Sequence, residues 1–203
     1  MGKEGLLVVV SAPSGTGKGT LLKQLKQSNE NLRFSVSATT RKPRKNEIHG
    51  KDYFFKTVDE FKKMVEQNEL VEWVEYCDNY YGTPGKHIES LINEGYNVLL
   101  EVEIEGAISV RKKFPGSVLI FVLPPSIGEL RKRITGRGTE EEDIIDKRLE
   151  KARSEIEHVD RYDYVVINGE IDKAVKDINS IIRAEELKYT RNLDIINRIG
   201  GCF

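Results

Sequence analysis

Cysteine is nearly missing from this chain. The two present, Cys77 and Cys202, stand far apart with no CxxC spacing, so the 203 residues carry no disulfide framework and suit a reducing compartment. Histidine is as sparse: His49, His87 and His158 are scattered without a second His or Cys at metal-ligand spacing, which argues against a zinc site. Charge of one sign is lacking too. With 32 basic and 33 acidic residues the net charge is -1, so neither nucleic acid nor membrane is expected as a partner, and small molecules are. No apolar run approaches the roughly 20 residues that cross a bilayer. Met1-Gly2-Lys3-Glu4 leads directly into a strand-like run without the n-region, h-region and cleavage site of a secretory signal, and Leu6 stands where a myristoylation start wants Ser or Thr. A cytoplasmic protein is the expectation. The chain also lacks internal repeats and low-complexity tracts, and its length suits one core with a small inserted subdomain.

What is present is an alternation. Leu6-Leu7-Val8-Val9-Val10 is continuously apolar and β-branched, as expected of a strand covered on both faces, and similar runs recur at 98–102, 118–123 and 164–167. Between them apolar residues fall at helical spacing: Leu21, Leu22 and Leu25; Ile127, Leu130 and Ile134; Val175, Ile178, Ile181 and Ile182. This predicts an α/β fold, a parallel sheet flanked by helices. Capping-box patterns start helices at Thr57, Ser126 and Thr139. The polar, Tyr- and Arg-rich stretch 38–96 breaks the alternation and reads as an insert with one short helix near 59–67. A second irregular stretch, 129–153, carries Gly136-Arg137-Gly138 and a charged helix and reads as a flap. The core is then 1–37, 97–128 and 154–190, within one domain spanning 1–203, and the tail 191–203 offers Leu193, Ile195, Ile196 and Ile199 for docking on the core or on a second subunit, leaving a homo-oligomer open.

The first strand runs into Ser11-Ala12-Pro13-Ser14-Gly15-Thr16-Gly17-Lys18-Gly19-Thr20 and then a Leu-rich helix, the order a P-loop requires. Glycines let successive N–H groups converge on an anion, the helix N-terminus adds its positive dipole end, and Lys18 supplies a full charge for the β- and γ-phosphates. Residues 12–20 are therefore expected to hold a nucleoside triphosphate on the P-loop NTPase fold. Two positions depart from the general pattern: Ala12 replaces the first Gly, and Gly19 follows the Lys where Ser or Thr is usual, leaving Thr20 one place later. Thr20 remains the candidate hydroxyl for Mg²⁺, with the ion held largely by phosphates and water. In Leu99-Leu100-Glu101-Val102-Glu103, two carboxylates spaced like same-face strand residues are expected at the strand end where ligands bind.

The insert narrows the substrate. Phe34-Ser35-Val36-Ser37-Ala38-Thr39-Thr40-Arg41-Lys42-Pro43-Arg44, then Glu47-Ile48-His49-Gly50-Lys51-Asp52-Tyr53, then Glu69-Leu70-Val71-Glu72-Trp73 and Asn79-Tyr80-Tyr81-Gly82-Thr83, closely resemble guanylate kinases. With the P-loop and Gly136-Arg137-Gly138-Thr139 the resemblance runs from about residue 6 to 188. It implies Mg-dependent transfer of the γ-phosphoryl of ATP to GMP, a GMP-binding insert and a lid. Glu72 and Glu103 match the positions that accept from guanine N1 and the 2-amino group; adenine would leave both carboxylates unpaired, at about 1–3 kcal/mol per buried group. The family usually has Asp at Glu103. Ser37 and Thr83 match hydroxyls on the O6 and N7 side, while Arg41, Arg44, Tyr53 and Tyr81 match the grip on the GMP phosphate, with Glu47 and Glu101 beside them. Arg133, Arg137 and Arg148 match lid arginines over the triphosphate, with Lys18, Arg41, Arg137 and Arg148 serving transfer, and Asn168 matches a position near the adenine. Two other readings compete: a P-loop kinase acting on a sugar phosphate, which would need no guanine-reading groups, and a peptide-binding relative that has lost phosphate-binding residues.

Overall fold

The computed structural model describes residues 4–136 and 142–201. Along the chain run β1 (Leu7–Ser11), α1 (Lys18–Ser28), β2 (Leu32–Phe34), β3 (Ala38–Thr39), β4 (Phe54–Phe55), α2 (Val58–Glu66), β5 (Leu70–Tyr76), β6 (Asn79–Pro84), α3 (Gly85–Asn93), β7 (Asn97–Glu101), α4 (Ile104–Lys113), β8 (Val118–Leu123), α5 (Ile127–Thr135), α6 (Glu142–Ile156), β9 (Tyr164–Ile167), α7 (Ile171–Glu186) and α8 (Leu193–Gly200).

Strands β2, β7, β1, β8 and β9 form a parallel sheet in that order. The continuous apolar run of β1 is explained by its central place, because successive side chains leave opposite faces. Val8 and Val10 pack with Leu21 and Leu25 of α1 and Ile178 and Ile182 of α7. Leu7 and Val9 pack with Ile88 of α3 and Ala107 and Val110 of α4. The α/β sheet with helices on both faces is thus as expected, and α3, which the boundary 38–96 counts with the insert, lies against the main sheet.

The insert builds its own sheet, ordered β4, β3, β6, β5, with Phe61 of α2 beneath it. Helix α2 starts where Thr57 and Glu60 cap one another: the Glu60 amide donates to Thr57 Oγ1 at 3.2 Å and the Thr57 amide to Glu60 Oε2 at 2.7 Å. At Ser126 only half of the expected box forms, since Ser126 Oγ accepts the Glu129 amide while the Glu129 carboxylate takes Arg133 Nε at 3.1 Å. The Thr139 box lies outside the described residues. Helices α5 and α6 pack on each other through Leu130, Ile134, Ile145 and Leu149. In the tail, Leu193, Ile195 and Ile199 of α8 are exposed, so the core is not their docking partner.

Candidate active site

The phosphate loop hangs from the buried end of β1 and stops at Gly17, which caps α1 with φ 88°; Gly15 also has positive φ, 86°. Both values belong to the region that glycine enters without a Cβ clash. A Cβ on Gly15 would also sit 2.7 Å from Cγ1 of Ile134, so the loop rests directly on α5. Thr16 folds inward and donates from Oγ1 to the Pro13 carbonyl at 2.7 Å. The Thr16 carbonyl in turn accepts Arg133 Nη1 at 2.9 Å and Asn168 Nδ2 at 2.9 Å. Arg133 Nη1 also donates to the Asn168 carbonyl at 3.0 Å, so this guanidinium braces the loop from below with much of its fork.

Residues 12–20 line a cavity of about 490 Å³ together with Glu101, Glu103, Arg148, Lys151 and Glu155. Lys18 Nζ stands 3.4 Å from Glu101 Oε1, and Arg148 Nη2 donates to Ser14 Oγ at 2.8 Å. A side chain on Gly19 would meet nothing within 4 Å, so that departure from the usual Ser leaves open space beside Thr20. Burial pushes the Glu155 carboxyl above the ordinary carboxylate range, while Lys151 and the Ser14 amide pull it back. Arg137 lies outside the described residues.

A second cavity, about 670 Å³, adjoins the first and is walled by Ser37, Tyr53, Glu72, Tyr81, Glu101 and Glu103 among others. Glu72 reaches it through an irregularity in β5. Leu70 pairs with Pro84 and Trp73 with Gly82, so three steps on β5 oppose two on β6 and the register shifts at Glu72. Such a bulge re-aims a side chain. Thr83, across the hairpin, donates from Oγ1 to Glu72 Oε1. Burial raises the Glu72 carboxyl above its usual range, and the Thr83 bond opposes that rise. A Cβ on Gly106 would stand 3.5 Å from Glu72 Oε2, so the first turn of α4 closes over the carboxylate.

Glu103 does not share a strand face with Glu101, contrary to what their spacing predicts. Strand β7 ends at Glu101, and Glu103 is the N-cap of α4 rather than a strand residue. Just past the strand end the Val102 carbonyl accepts Ser11 Oγ at 2.9 Å. Both carboxylates nevertheless line the two cavities.

Toward Tyr53, Arg41 donates through Nη2 to Glu47 Oε1 at 2.8 Å and through Nη1 to the Lys42 carbonyl at 2.8 Å. Its guanidinium carbon lies 5.3 Å from the Tyr53 ring centre, and the Tyr53 and Tyr81 rings meet edge-on at 6.2 Å. Glu47 Oε2 accepts the Arg44 amide at 2.8 Å. The Arg41 and Arg44 contacts hold Glu47 below the ordinary carboxylate range, and Glu47 raises Arg41 in return. Tyr76, Lys151 and Glu155 join the walls without having been singled out from sequence. The signal for two of them was legible: Arg148, Lys151 and Glu155 fall at i, i+3 and i+7, one face of α6.

A family model described as guanylate kinase matches residues 4–185. Guanylate kinases of Halalkalibacterium halodurans and Caldanaerobacter subterraneus subsp. tengcongensis are each 49% identical, over 95% and 97% of this chain and 94% and 96% of theirs. That of Desulfitobacterium hafniense is 51% identical over 92% of this chain and 94% of its own. The crystal structure of guanylate kinase from Anaplasma phagocytophilum superposes with a TM-score of 0.70 at 35% identity, covering 94% of this chain and 91% of that one.

Proposed function

The chain belongs to the guanylate kinase family, and from that premise we infer that it transfers the γ-phosphoryl group of ATP to GMP, yielding ADP and GDP. The observation that carries the reading is the common wall of the two cavities: Glu101 and Glu103 line both the phosphate-loop cleft and the cleft holding Glu72. A donor and an acceptor nucleotide seated there face each other.

Ser37, Glu72, Thr83 and Glu103 read guanine in this proposal. An ionised Glu72 accepts from N1 and the 2-amino group, and the bond from Thr83 already sets its orientation. Arg41, Arg44, Tyr53 and Tyr81 take the GMP phosphate, with Glu47 aligning Arg41. Residues 12–20 hold the triphosphate, Lys18 reaches its outer phosphates, and Arg148 covers it. Asn168 Oδ1 is buried without a donor, and an adenine amino group would supply one. A phosphate oxygen of GMP forms the new bond to the γ-phosphorus as the bond to the β-bridging oxygen breaks, so the protein's task is positioning and charge neutralisation.

Mg²⁺ fits this donor set as a guest of the nucleotide. Among the described residues no group of three or more His, Cys, Asp or Glu could hold a metal ion, whereas Thr20 and Glu101 offer single hard oxygens at the phosphate-loop cavity. Bound there, the ion would neutralise β- and γ-phosphate charge. No helix of the described residues is long and apolar enough to cross a membrane, and we place the enzyme in the cytoplasm with free nucleotides as partners.

The test is GDP formation from ATP and GMP by the purified protein, with AMP as control and Lys18→Met as the inactive reference. Equal turnover of AMP and GMP, or no GDP, would sink the reading.

A further inference from the structure

Lys151 of α6 stands at the junction of the two cavities. It is one of four residues, with Tyr76, Glu101 and Glu103, that line both cavities. Among the described residues walling the acceptor cavity it is the single cation, set against Glu72, Glu101, Glu103 and Glu105. Two polyanions meeting in such a cleft need positive charge where their phosphates approach. Lys18 stands on the donor side, at 3.4 Å from Glu101, and Arg41, aligned by Glu47, is not among the residues that wall the second cavity.

We infer that Lys151 is a charge-neutralising residue for phosphoryl transfer in this chain, its ammonium serving the seam between the two nucleotides. Its geometry suits the task. It lies one turn beyond Arg148 on the same face of α6, so whatever brings Arg148 to Ser14 brings Lys151 alongside. Glu155, one turn further, holds the ammonium at 3.6 Å from Oε1 without enclosing it, since the Lys151 side chain keeps 59% of its exposure. A weak, exposed pair of this kind exchanges readily for a phosphate, which binds an ammonium more strongly than a single carboxylate does.

The inference rests on the kinase reading, and a single set of assays separates their failures. GDP formation by the parent protein tests the kinase reading; the ratio of Lys151→Met to parent tests the lysine. Lys151→Met is expected to lower kcat about tenfold while leaving both KM values within about threefold. Lys151→Arg, which keeps the charge, is expected to retain most of the parent kcat. Both variants should melt at the parent temperature, because the side chain is exposed and packs into no core cluster. A Met variant whose kcat stays within about twofold of the parent overturns the inference. So does an Arg variant as impaired as Met, since the charge would then not be what matters.

Discussion

Glu47 holds Arg41 and Arg44 at once: one oxygen accepts the Arg41 guanidinium at 2.8 Å and the other the Arg44 amide at 2.8 Å. The loop that carries both arginines is thereby folded around a carboxylate before any phosphate arrives. Replacing Glu47 by Ala should raise the GMP KM by about tenfold, through loss of a pre-aligned guanidinium, and leave the ATP KM unchanged. Steady-state kinetics with each nucleotide varied in turn checks this; a parallel rise in the ATP KM would contradict it.

Glu72 links base recognition to pH. Its carboxyl is raised by burial, so between the ordinary carboxylate pKa and the raised one the folded state binds more protons than the unfolded state. Stability then falls as pH rises through that window, and a buried ionised Glu72 is a net cost at neutral pH. Glu72→Gln should melt at a higher temperature than the parent at pH 7, with the gain vanishing below the ordinary carboxylate range, where Glu72 is protonated in both states. The same variant presents an amide donor to guanine donors and should raise the GMP KM by about 1–3 kcal/mol in free-energy terms. Melting curves across pH and GMP titrations read the two effects separately.

Two glycines of the phosphate loop should respond oppositely. Gly15→Ala forces an L-residue to φ 86° and drives its Cβ against Ile134, so a loss of about 1–2 kcal/mol or more in urea unfolding is expected, with α5 displaced and ATP binding lost. Gly19→Ser meets open space in the first turn of α1, where Ser is a better helix former than Gly by about 0.5 kcal/mol. Its added hydroxyl should lower the Mg²⁺ concentration for half-maximal rate, as a metal titration of initial velocity would reveal. An unchanged titration curve would place the ion beyond reach of that side chain.

Arg133 spends Nη1 on two carbonyls, those of Thr16 and Asn168, and Nε on Glu129. Lysine cannot reproduce that planar fork. Arg133→Lys should therefore loosen the phosphate loop and raise the ATP KM by about tenfold or more, the loss of one to two buried bonds, without affecting the GMP KM. Isothermal titration with ATP and GMP separately is the direct measurement.

Much of this was legible in the residues. The runs 118–123 and 164–167 coincide with β8 and β9 end to end; β8 is apolar without alternation because it is covered on both faces, whereas β9, at the sheet edge, leaves Val165 and Ile167 exposed. The Thr57 cap was readable since both of its partners sit within one turn. What escaped depends on contacts distant in sequence. Nothing local to Glu103 announces that the strand ends at Glu101 and that Ser11 takes the Val102 carbonyl. The bulge that turns Glu72 depends on the register of β6. The two-residue turn at Cys77 and Asp78 has positive φ at both positions, 48° and 58°, but lacks the Asn-Gly that would have marked it. Lys151 shares a readable face of α6 with Arg148 and Glu155, but on a helix rich in charge only the packing of α6 beside the phosphate loop tells that face from a solvated one.

Helix α4 starts at the shared wall with Glu103 as its cap, passes Glu72 at Gly106, and ends where Lys113 Nζ donates to the Leu70 carbonyl, two residues before Glu72 on β5. In mechanical terms it is a strut, ten residues and about 15 Å long, fastened to β5 at its far end and seated at the common wall of the two cavities at its near end. The strand that carries Glu72 and the carboxylates at the shared wall are thus joined by regular helix rather than by loop.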